Sequence, residues 1–149
     1  LFYEQYFVYS SHSSELHTRD SVRTTDLREV PLWLLDEGHC FRDQLVSFCH
    51  LKTALRSQRS YHLGSIETFM RIVESGMGAT FIPELCTLQL SDEQRALVRP
   101  FAVPVPTREI VLLTATDFVR DSLKRLLIDE IRSAVPESMH RLSHAQKSI

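Results

Sequence analysis

The sequence lacks an excess of positive charge. Its 17 Lys and Arg residues are outnumbered by 19 Asp and Glu residues, which gives a formal net charge of -2 at pH 7 and a pI of about 6.4. A surface that grips a phosphate backbone needs clustered basic side chains. We therefore expect no direct contact between these residues and nucleic acid.

Long apolar runs and a secretory signal are also lacking. No stretch approaches the roughly 18 consecutive apolar residues that a membrane span needs, and the first residues do not follow the charged-then-apolar plan of a signal peptide. We expect a cytoplasmic protein with no membrane partner. The chain also begins without Met, inside a predicted strand, so we expect it to be a piece of a longer protein.

Cysteine is scarce and odd in number, with three residues in 149. Such a count does not make the disulfide framework of a secreted domain, so each cysteine is judged from its surroundings. There is no internal repeat, and the Gly-Met-Gly segment at residues 76–78 lacks the spacing of a phosphate-binding loop. We expect no metal and no cofactor.

The apolar pattern predicts alternating strands and helices, and hence an α/β sandwich with mostly parallel pairing. Strands are predicted at residues 5–10, 31–35, 61–63, 78–83 and 108–115, and helices at residues 40–54, 65–75, 91–98 and 122–135. Residues 99–106 form an extended crossing with three prolines. The tail that follows Pro136 shows no core face and is expected to fray.

Cys40 begins a predicted helix directly after a predicted buried strand. A sulfur at this position faces the positive end of the helix dipole and unpaired backbone N–H groups, which favour the thiolate that attacks peroxide. His39 and Arg42 add donor or cationic groups within one turn. Oxidation of Cys40 by peroxide would give a sulfenic acid, which a second thiol can convert to a disulfide.

Cys49 shares the apolar face of this helix with Phe41, Leu45 and Phe48. If the helix is intact, the Cα atoms of Cys40 and Cys49 lie on the order of 13 Å apart on opposite faces. A disulfide needs a Cα separation below about 7 Å. A bond between the two cysteines therefore requires local unwinding, which suits a switch better than a structural staple.

Simpler interpretations of these residues stay open. Taken alone, Cys49 fits an inert core residue, since free cysteine is among the most buried residue types. Cys86, which follows the strand at residues 78–83, is expected to be structural. A metal site has suitable ligand types nearby, but the separation along the helix keeps its four members apart: His39, Cys40, Cys49 and His50.

Two segments carry a resemblance to a known family. The string LLDEGHCFRDQLVSFC, residues 34–49, resembles the redox motif of peroxide-sensing LysR-type transcription regulators. The string SIETFMRIVESGMGATFIP, residues 65–83, resembles the broader LysR regulatory-domain signature of a Ser-led helix, Gly-x-Gly and an apolar strand closed by Pro. Arg108 matches an arginine in the strand where the family's chain returns to its first subdomain.

The resemblance implies an α/β fold of the periplasmic-binding-protein-like LysR effector type. Residues 1–104 would form the second lobe, regulatory subdomain II, with the redox switch at residues 38–50. Residues 105–149 would supply the returning strand and helix of the first lobe, subdomain I, and a C-terminal tail. The DNA-binding domain of the family has no counterpart in this chain.

The resemblance also implies a function and partners. Cys40 would be the peroxidatic cysteine and Cys49 the resolving one in a hydrogen peroxide sensor. The sensor would not be an enzyme, because an external thiol reductant such as glutaredoxin or thioredoxin must reverse each oxidation. Further partners would be other copies of the chain in a homodimer or tetramer, RNA polymerase and, through the absent domain, promoter DNA. The supporting residues would be Gly38, His39, Arg42, Asp43 and Arg108.

Two other functions stay open. A LysR-type effector domain could bind a small molecule without redox chemistry, with a carboxylate held at the helix N-terminus that Ser65 begins. A thiol peroxidase would instead consume peroxide at steady state with a reductant.

Overall fold

The computed structural model describes residues 1–36, 38–51 and 65–149. The predicted strand at residues 61–63, the predicted helical residues 52–54 and Glu37 of the redox motif lie outside the described residues. The described elements are β1 (Phe2–Ser10), β2 (Leu32–Trp33), α1 (Cys40–Phe48), α2 (Ile66–Glu74), β3 (Ala79–Pro83), α3 (Glu84–Thr87), α4 (Asp92–Arg95), β4 (Val98–Pro100), β5 (Val105–Ile110), α5 (Asp121–Ser133) and β6 (Gln146–Ser148). None of the helices in the described part of the chain has the length and apolar character of a membrane span.

The strands of the described residues form one six-stranded sheet. Its order is β2-β3-β1-β5-β6, and β4 pairs with β1 off this path. β1 runs antiparallel to β3, β4 and β5, and only the β2–β3 and β5–β6 pairs are parallel. The prediction of mostly parallel pairing is therefore wrong. The reason is that the chain returns three times to the long first strand in the opposite direction, so alternation of helices and strands does not produce parallel neighbours here.

β1 organises the core because its successive side chains point to opposite faces of the sheet. Tyr6 and Val8 belong to one buried cluster, which α1 covers with Phe41 and Leu45. Tyr9 belongs to a second buried cluster, together with side chains of α2, β3 and the segment before β4. The helices α1 and α2 thus bring their apolar stripes to a shared, largely buried strand.

The boundaries of α2 agree with the prediction. Ser65 is its N-cap residue in extended conformation, and Gly76 follows its end with a φ of 98°, the left-handed geometry that glycine adopts without strain. Gly78 is needed for a different reason. A Cβ at Gly78 would lie 2.3 Å from the carbonyl oxygen of Pro31, so only glycine permits this approach of β3 to β2.

Two predicted strands are shorter than expected. The predicted strand at residues 31–35 contains only Leu32–Trp33, at the edge of the sheet. The predicted strand at residues 108–115 stops at Ile110, whose partner in β1 is Phe2. Beyond it, Val111 and Leu113 are exposed and have no partner strand among the described residues.

The tail after Pro136 is part of the fold, so the prediction that it frays is wrong. Met139 lies in a 3-10 turn and is buried, and β6 pairs in parallel with β5. One buried side chain and a backbone ladder produce no repeating apolar pattern, so the structure of this tail could not be recognised from hydrophobic periodicity.

The helix predicted at residues 122–135 is confirmed as α5, Asp121–Ser133. Its predicted apolar side does not face a core in the described structure. Leu123, Leu126 and Leu127 are 54%, 57% and 46% exposed. The amphipathic pattern thus identified the helix correctly, but not a surface that covers it.

Candidate functional site

The start of α1 brings together most of the predicted site residues. Gly38 has a φ of 91°, and a Cβ there would meet no atom within 4 Å, so glycine is required by the backbone angle and not by crowding. His39 is the extended N-cap residue, and its carbonyl accepts from the Asp43 amide at 3.1 Å. Cys40 is the first helical residue and is exposed. Its position at the helix N-terminus agrees with the prediction.

Arg42 and Asp43 form an ion pair in this first turn. Nη1 of Arg42 lies 3.1 Å from Oδ1 of Asp43, and the Asp43 side chain is 55% exposed. A pair with this exposure contributes at most about 1 kcal/mol to stability. Its main effect is to hold a guanidinium and a carboxylate close to the beginning of α1.

A buried ion pair lies behind this turn. The Glu4 side chain is 1% exposed, and its Oε2 accepts from Nε of Arg108 at 2.7 Å. Its other oxygen accepts from the Leu85 amide at 3.0 Å. A buried carboxylate is tolerated only with such partners, so Glu4 fixes the position of the Arg108 guanidinium.

Arg108 also contacts aromatic rings next to Cys40. Its guanidinium carbon lies 5.8 Å from the centre of the Tyr6 ring and 5.9 Å from that of Phe41. The Tyr6 and Phe41 rings meet edge to face with centroids 5.0 Å apart. These are cation–π and aromatic contacts, and they tie the residue that follows Cys40 to strands β1 and β5.

The hydroxyl of Tyr6 completes this cluster. It donates to Oε1 of Gln44 at 3.2 Å. Burial raises the pKa of Tyr6 to about 12; the Arg108 guanidinium acts in the opposite direction, and Glu4 and Cys40 add to the increase. Tyr6 is therefore a protonated donor at neutral pH, in electrostatic contact with Cys40.

Cys49 lies at the other end of α1 in a different environment. It is the C-cap residue, its amide donates to the Leu45 carbonyl at 2.9 Å, and only 1% of its surface is exposed. Burial raises the pKa of its thiol to about 12. The prediction that Cys49 faces the core is confirmed, and at neutral pH the thiol is protonated and shielded.

α1 ends at Phe48, several residues earlier than the predicted end near Ala54. The His50 amide donates to the Ser47 carbonyl at 3.2 Å, and the Leu51 amide donates to the Val46 carbonyl at 3.0 Å. This is a Schellman motif, with a left-handed residue just after the C-cap. That residue is His50, with a φ of 53°, and because it is not glycine the pattern of the sequence did not mark it as a helix end.

Both cysteines of α1 are free thiols. Because α1 has nine residues between Cys40 and Phe48, a rise of about 1.5 Å per residue places the two Cα atoms on the order of 13 Å apart. The structure thus brings Gly38, His39, Cys40, Arg42 and Asp43 together, places Arg108 beside them through Phe41, and holds Cys49 apart. Within residues 1–36, 38–51 and 65–149, no group of three potential ligands could hold a metal ion.

An open cleft of about 920 Å³ runs along the side of α1. Asp43, Gln44 and Ser47 of the helix form one wall, and residues 102–104 and 147–149 lie opposite. The C-terminal strand is therefore a direct neighbour of the helix that carries both cysteines.

Sequence reasoning missed Glu4 and Tyr6. They alternate with half-buried positions along β1, on the same face of the sheet as Val8. A carboxylate on the buried face of an aromatic-rich strand was the available signal, because such a group needs a cationic partner. The identity of that partner, Arg108, depends on the pairing of β1 with β5.

Comparison with known proteins places the chain in a family. Residues 1–136 match the model of the LysR substrate binding domain. The chain is 34% identical over 122 residues to a probable hydrogen peroxide-inducible genes activator of Mycobacterium avium, covering 81% of this chain and 39% of that protein. It is 29% identical over 143 residues to a protein of the same description from Streptomyces viridosporus, covering 95% and 45%. The chain thus spans less than half the length of these two relatives.

Solved structures agree with this assignment. Reduced OxyR from Porphyromonas gingivalis matches with a TM-score of 0.89 and 48% identity, over 100% of this chain and 68% of that chain. The reduced regulatory domain of Pseudomonas aeruginosa OxyR matches with a TM-score of 0.71 and 28% identity, over 89% and 64%. The predicted effector-domain fold is therefore confirmed. The chain belongs to the LysR substrate-binding domain family, and its fold is that of OxyR regulatory domains.

Proposed function

We propose that this domain senses hydrogen peroxide by forming a disulfide between Cys40 and Cys49. The observation that carries the proposal is the contrast between the two ends of α1: Cys40 is exposed at the first residue and Cys49 is buried at the C-cap. The relatives described as hydrogen peroxide-inducible genes activators support the choice of stimulus.

In the first step the Cys40 sulfur, as a thiolate, attacks one oxygen of hydrogen peroxide. An S–O bond forms, the O–O bond breaks, and the departing hydroxide takes up a proton and leaves as water. The sulfur loses two electrons and becomes a sulfenic acid, while peroxide gains them. In this scheme the Arg42 guanidinium and backbone N–H groups at the start of α1 supply donors to the departing oxygen.

In the second step the Cys49 sulfur attacks the oxidised sulfur of Cys40. An S–S bond forms, the S–O bond breaks, and the hydroxyl leaves as water with the proton of the Cys49 thiol. Because a separation of about 13 Å must fall below about 7 Å, α1 unwinds during this step. Unwinding also removes the burial that raises the pKa of Cys49, so Cys49 becomes reactive only once the helix has opened.

The rearranged segment then changes how copies of the regulator pack in a dimer or tetramer. In this proposal, residues 1–104 form subdomain II with the switch at residues 38–50, and residues 105–149 return to subdomain I. The altered assembly repositions DNA-binding domains on promoter DNA in the cytoplasm and affects RNA polymerase. A dithiol reductant of the glutaredoxin or thioredoxin type returns two electrons and restores both thiols.

Thiol counting tests this proposal. The reduced chain receives one equivalent of hydrogen peroxide, free thiols are counted, and peptides are identified by mass spectrometry. We expect the loss of two thiols and a peptide pair joined through Cys40 and Cys49. The half-buried Cys86 offers a matched control: Cys86→Ser should respond as the original chain does, and Cys40→Ser should not respond.

Three outcomes contradict the proposal in different ways. Unchanged thiols would favour a LysR-type effector domain that binds a small molecule. Steady consumption of peroxide in the presence of a reductant would favour a thiol peroxidase. A full response of Cys40→Ser would show that another residue reacts with peroxide.

A further inference from the structure

We propose that oxidation of Cys40 and Cys49 releases the C-terminal strand β6 from β5, so that β6 transmits the state of the switch to the edge of the sheet. This inference rests on the proposed redox function and deepens it, because it names the surface that changes when α1 unwinds. The argument depends on what holds β6 in place.

The pairing between β6 and β5 is short. β6 has three residues, lies at the end of the sheet, and exposes Lys147 and Ser148. Its ladder pairs three residues of β5 with three of β6, from Val105 with Gln146 to Thr107 with Ser148. Two hydrogen bonds lie at the ends of the ladder: the Val105 amide donates to the Ala145 carbonyl at 2.8 Å, and the Ile149 amide donates to the Thr107 carbonyl at 3.0 Å. A three-residue edge strand is weakly held by its backbone alone.

α1 supplies the remaining attachments. Nε2 of Gln44 donates to the carbonyl of Ile149 at 3.0 Å, and Nζ of Lys147 lies 5.9 Å from the centre of the Phe48 ring. Because Oε1 of Gln44 accepts from the Tyr6 hydroxyl, the amide group is oriented with its donor towards the tail. Two side chains of α1 thus anchor β6, one at its middle residue, Lys147, and one at Ile149, directly after its end.

Both anchors depend on the helical state of α1. Gln44 lies one turn after Cys40, and Phe48 is the last residue of α1. Bringing Cys40 and Cys49 together requires the turns between them to unwind, and Gln44 and Phe48 lie in those turns. The two contacts are therefore lost in the same event that forms the disulfide, and β6 keeps only its short ladder. Its opening leaves the N–H and C=O groups of the β5 edge unpaired.

Hydrogen exchange measured by mass spectrometry tests the release. Peptides that cover residues 105–110 and 145–149 are compared in the reduced chain, the peroxide-treated chain and peroxide-treated Cys40→Ser. We expect exchange in both peptides to accelerate roughly tenfold on oxidation, as the loss of two anchoring contacts implies. Cys40→Ser should keep the protection of the reduced chain. Exchange in β3, residues 79–83, should stay unchanged and so report that the fold is intact.

A second variant tests the anchor without oxidation. Gln44→Ala in the fully reduced chain should accelerate exchange of residues 145–149 by roughly two- to tenfold, the effect of one hydrogen bond. Ser47→Ala is the matched control, because Ser47 lines the same cleft on the same helix. It should leave the exchange of the tail unchanged.

The outcomes separate the two proposals. If the disulfide forms by mass but residues 145–149 stay protected, the release of β6 is overturned and the redox function stands. Full protection of the tail in reduced Gln44→Ala would overturn the assigned anchor and the proposed release with it. If no disulfide forms, the redox function and the oxidative release both fail.

Discussion

The left-handed His50 at the end of α1 gives a quantitative test of the link between helix stability and the switch. With a φ of 53°, a residue that carries a Cβ costs roughly 1–2 kcal/mol relative to a right-handed conformation. Glycine avoids this cost but loses about 0.5–1 kcal/mol more backbone entropy on folding. His50→Gly should therefore stabilise the reduced, helical state by about 0.5–1 kcal/mol.

This stabilisation should appear in the reduction potential of the disulfide. If α1 unwinds on oxidation, the oxidised state does not gain from the glycine, so the reduced state is favoured and the potential becomes less negative. For a two-electron couple about 30 mV corresponds to about 1.4 kcal/mol. The expected shift is therefore about +10 to +20 mV, together with a small increase in the thermal stability of the reduced chain.

Redox titration in glutathione buffers, with the disulfide quantified after thiol trapping, measures this shift. His50→Ala is the matched control, because it removes the imidazole but keeps the Cβ that makes the left-handed conformation costly. We expect His50→Ala to leave the potential near that of the original chain. If His50→Gly stabilises the reduced chain but does not shift the potential, the end of α1 keeps its structure in the oxidised state, and the unwinding argument is wrong.

Three further predictions follow from the environments of individual side chains. At about pH 7.5, iodoacetamide should alkylate Cys40 in the folded, reduced chain and spare Cys49, because burial raises the pKa of Cys49 to about 12; peptide mass spectrometry checks this, and equal rates would contradict the assigned burial. Glu4→Gln should lower the free energy of unfolding by about 2–3 kcal/mol, because it takes the charge from a buried, hydrogen-bonded ion pair. Urea denaturation measures this loss. The control Arg71→Gln breaks a pair whose arginine is mostly exposed and should cost less than about 1 kcal/mol. Similar losses for the two variants would contradict the greater contribution assigned to the Glu4 pair. Stability should also fall as pH rises from about 9 towards 12, since burial raises the pKa of both Cys49 and Tyr6 to about 12. Their neutral forms stabilise the fold fully below the unfolded pKa values of about 8.5 and 10, and this contribution is lost as pH rises through the folded values. Cys49→Ala should flatten the decline in pH-dependent thermal melting, and an unchanged slope would count against the assignment.

The local features of the site could be predicted from the sequence. The apolar spacing that ends in Cys49 identified an amphipathic helix, and the change of pattern at Cys40 identified its first residue. Helix geometry alone then separated the two sulfurs. These are properties of a single short segment, so no knowledge of tertiary structure was needed. The end of the helix escaped prediction because His50 occupies a position where glycine is the usual signal.

The features that depend on strand pairing could not be predicted. The contact of Glu4 with Arg108 joins residues 104 positions apart and exists only because β1 pairs antiparallel with β5. The contact of Gln44 with Ile149 likewise depends on the parallel pairing of β6 with β5. Single-residue patterns report which face of an element is apolar, but they do not report which distant element covers that face.

The two ends of α1 are held by interactions of different kinds, and this difference bears on how the helix can open. At the start, Phe41 packs between Tyr6 and an arginine fixed by a buried carboxylate. At the end, the Schellman motif contains His50 in a left-handed conformation. Outside the core, this end of the helix contacts the short edge strand β6. Unwinding from the C-terminal end relieves the left-handed His50, draws the buried Cys49 and Leu51 out of the core, and moves Cys49 towards a stationary Cys40. A cysteine that stays in place while it is oxidised, and a partner that reaches it only by leaving the core, together give the switch a defined order of events.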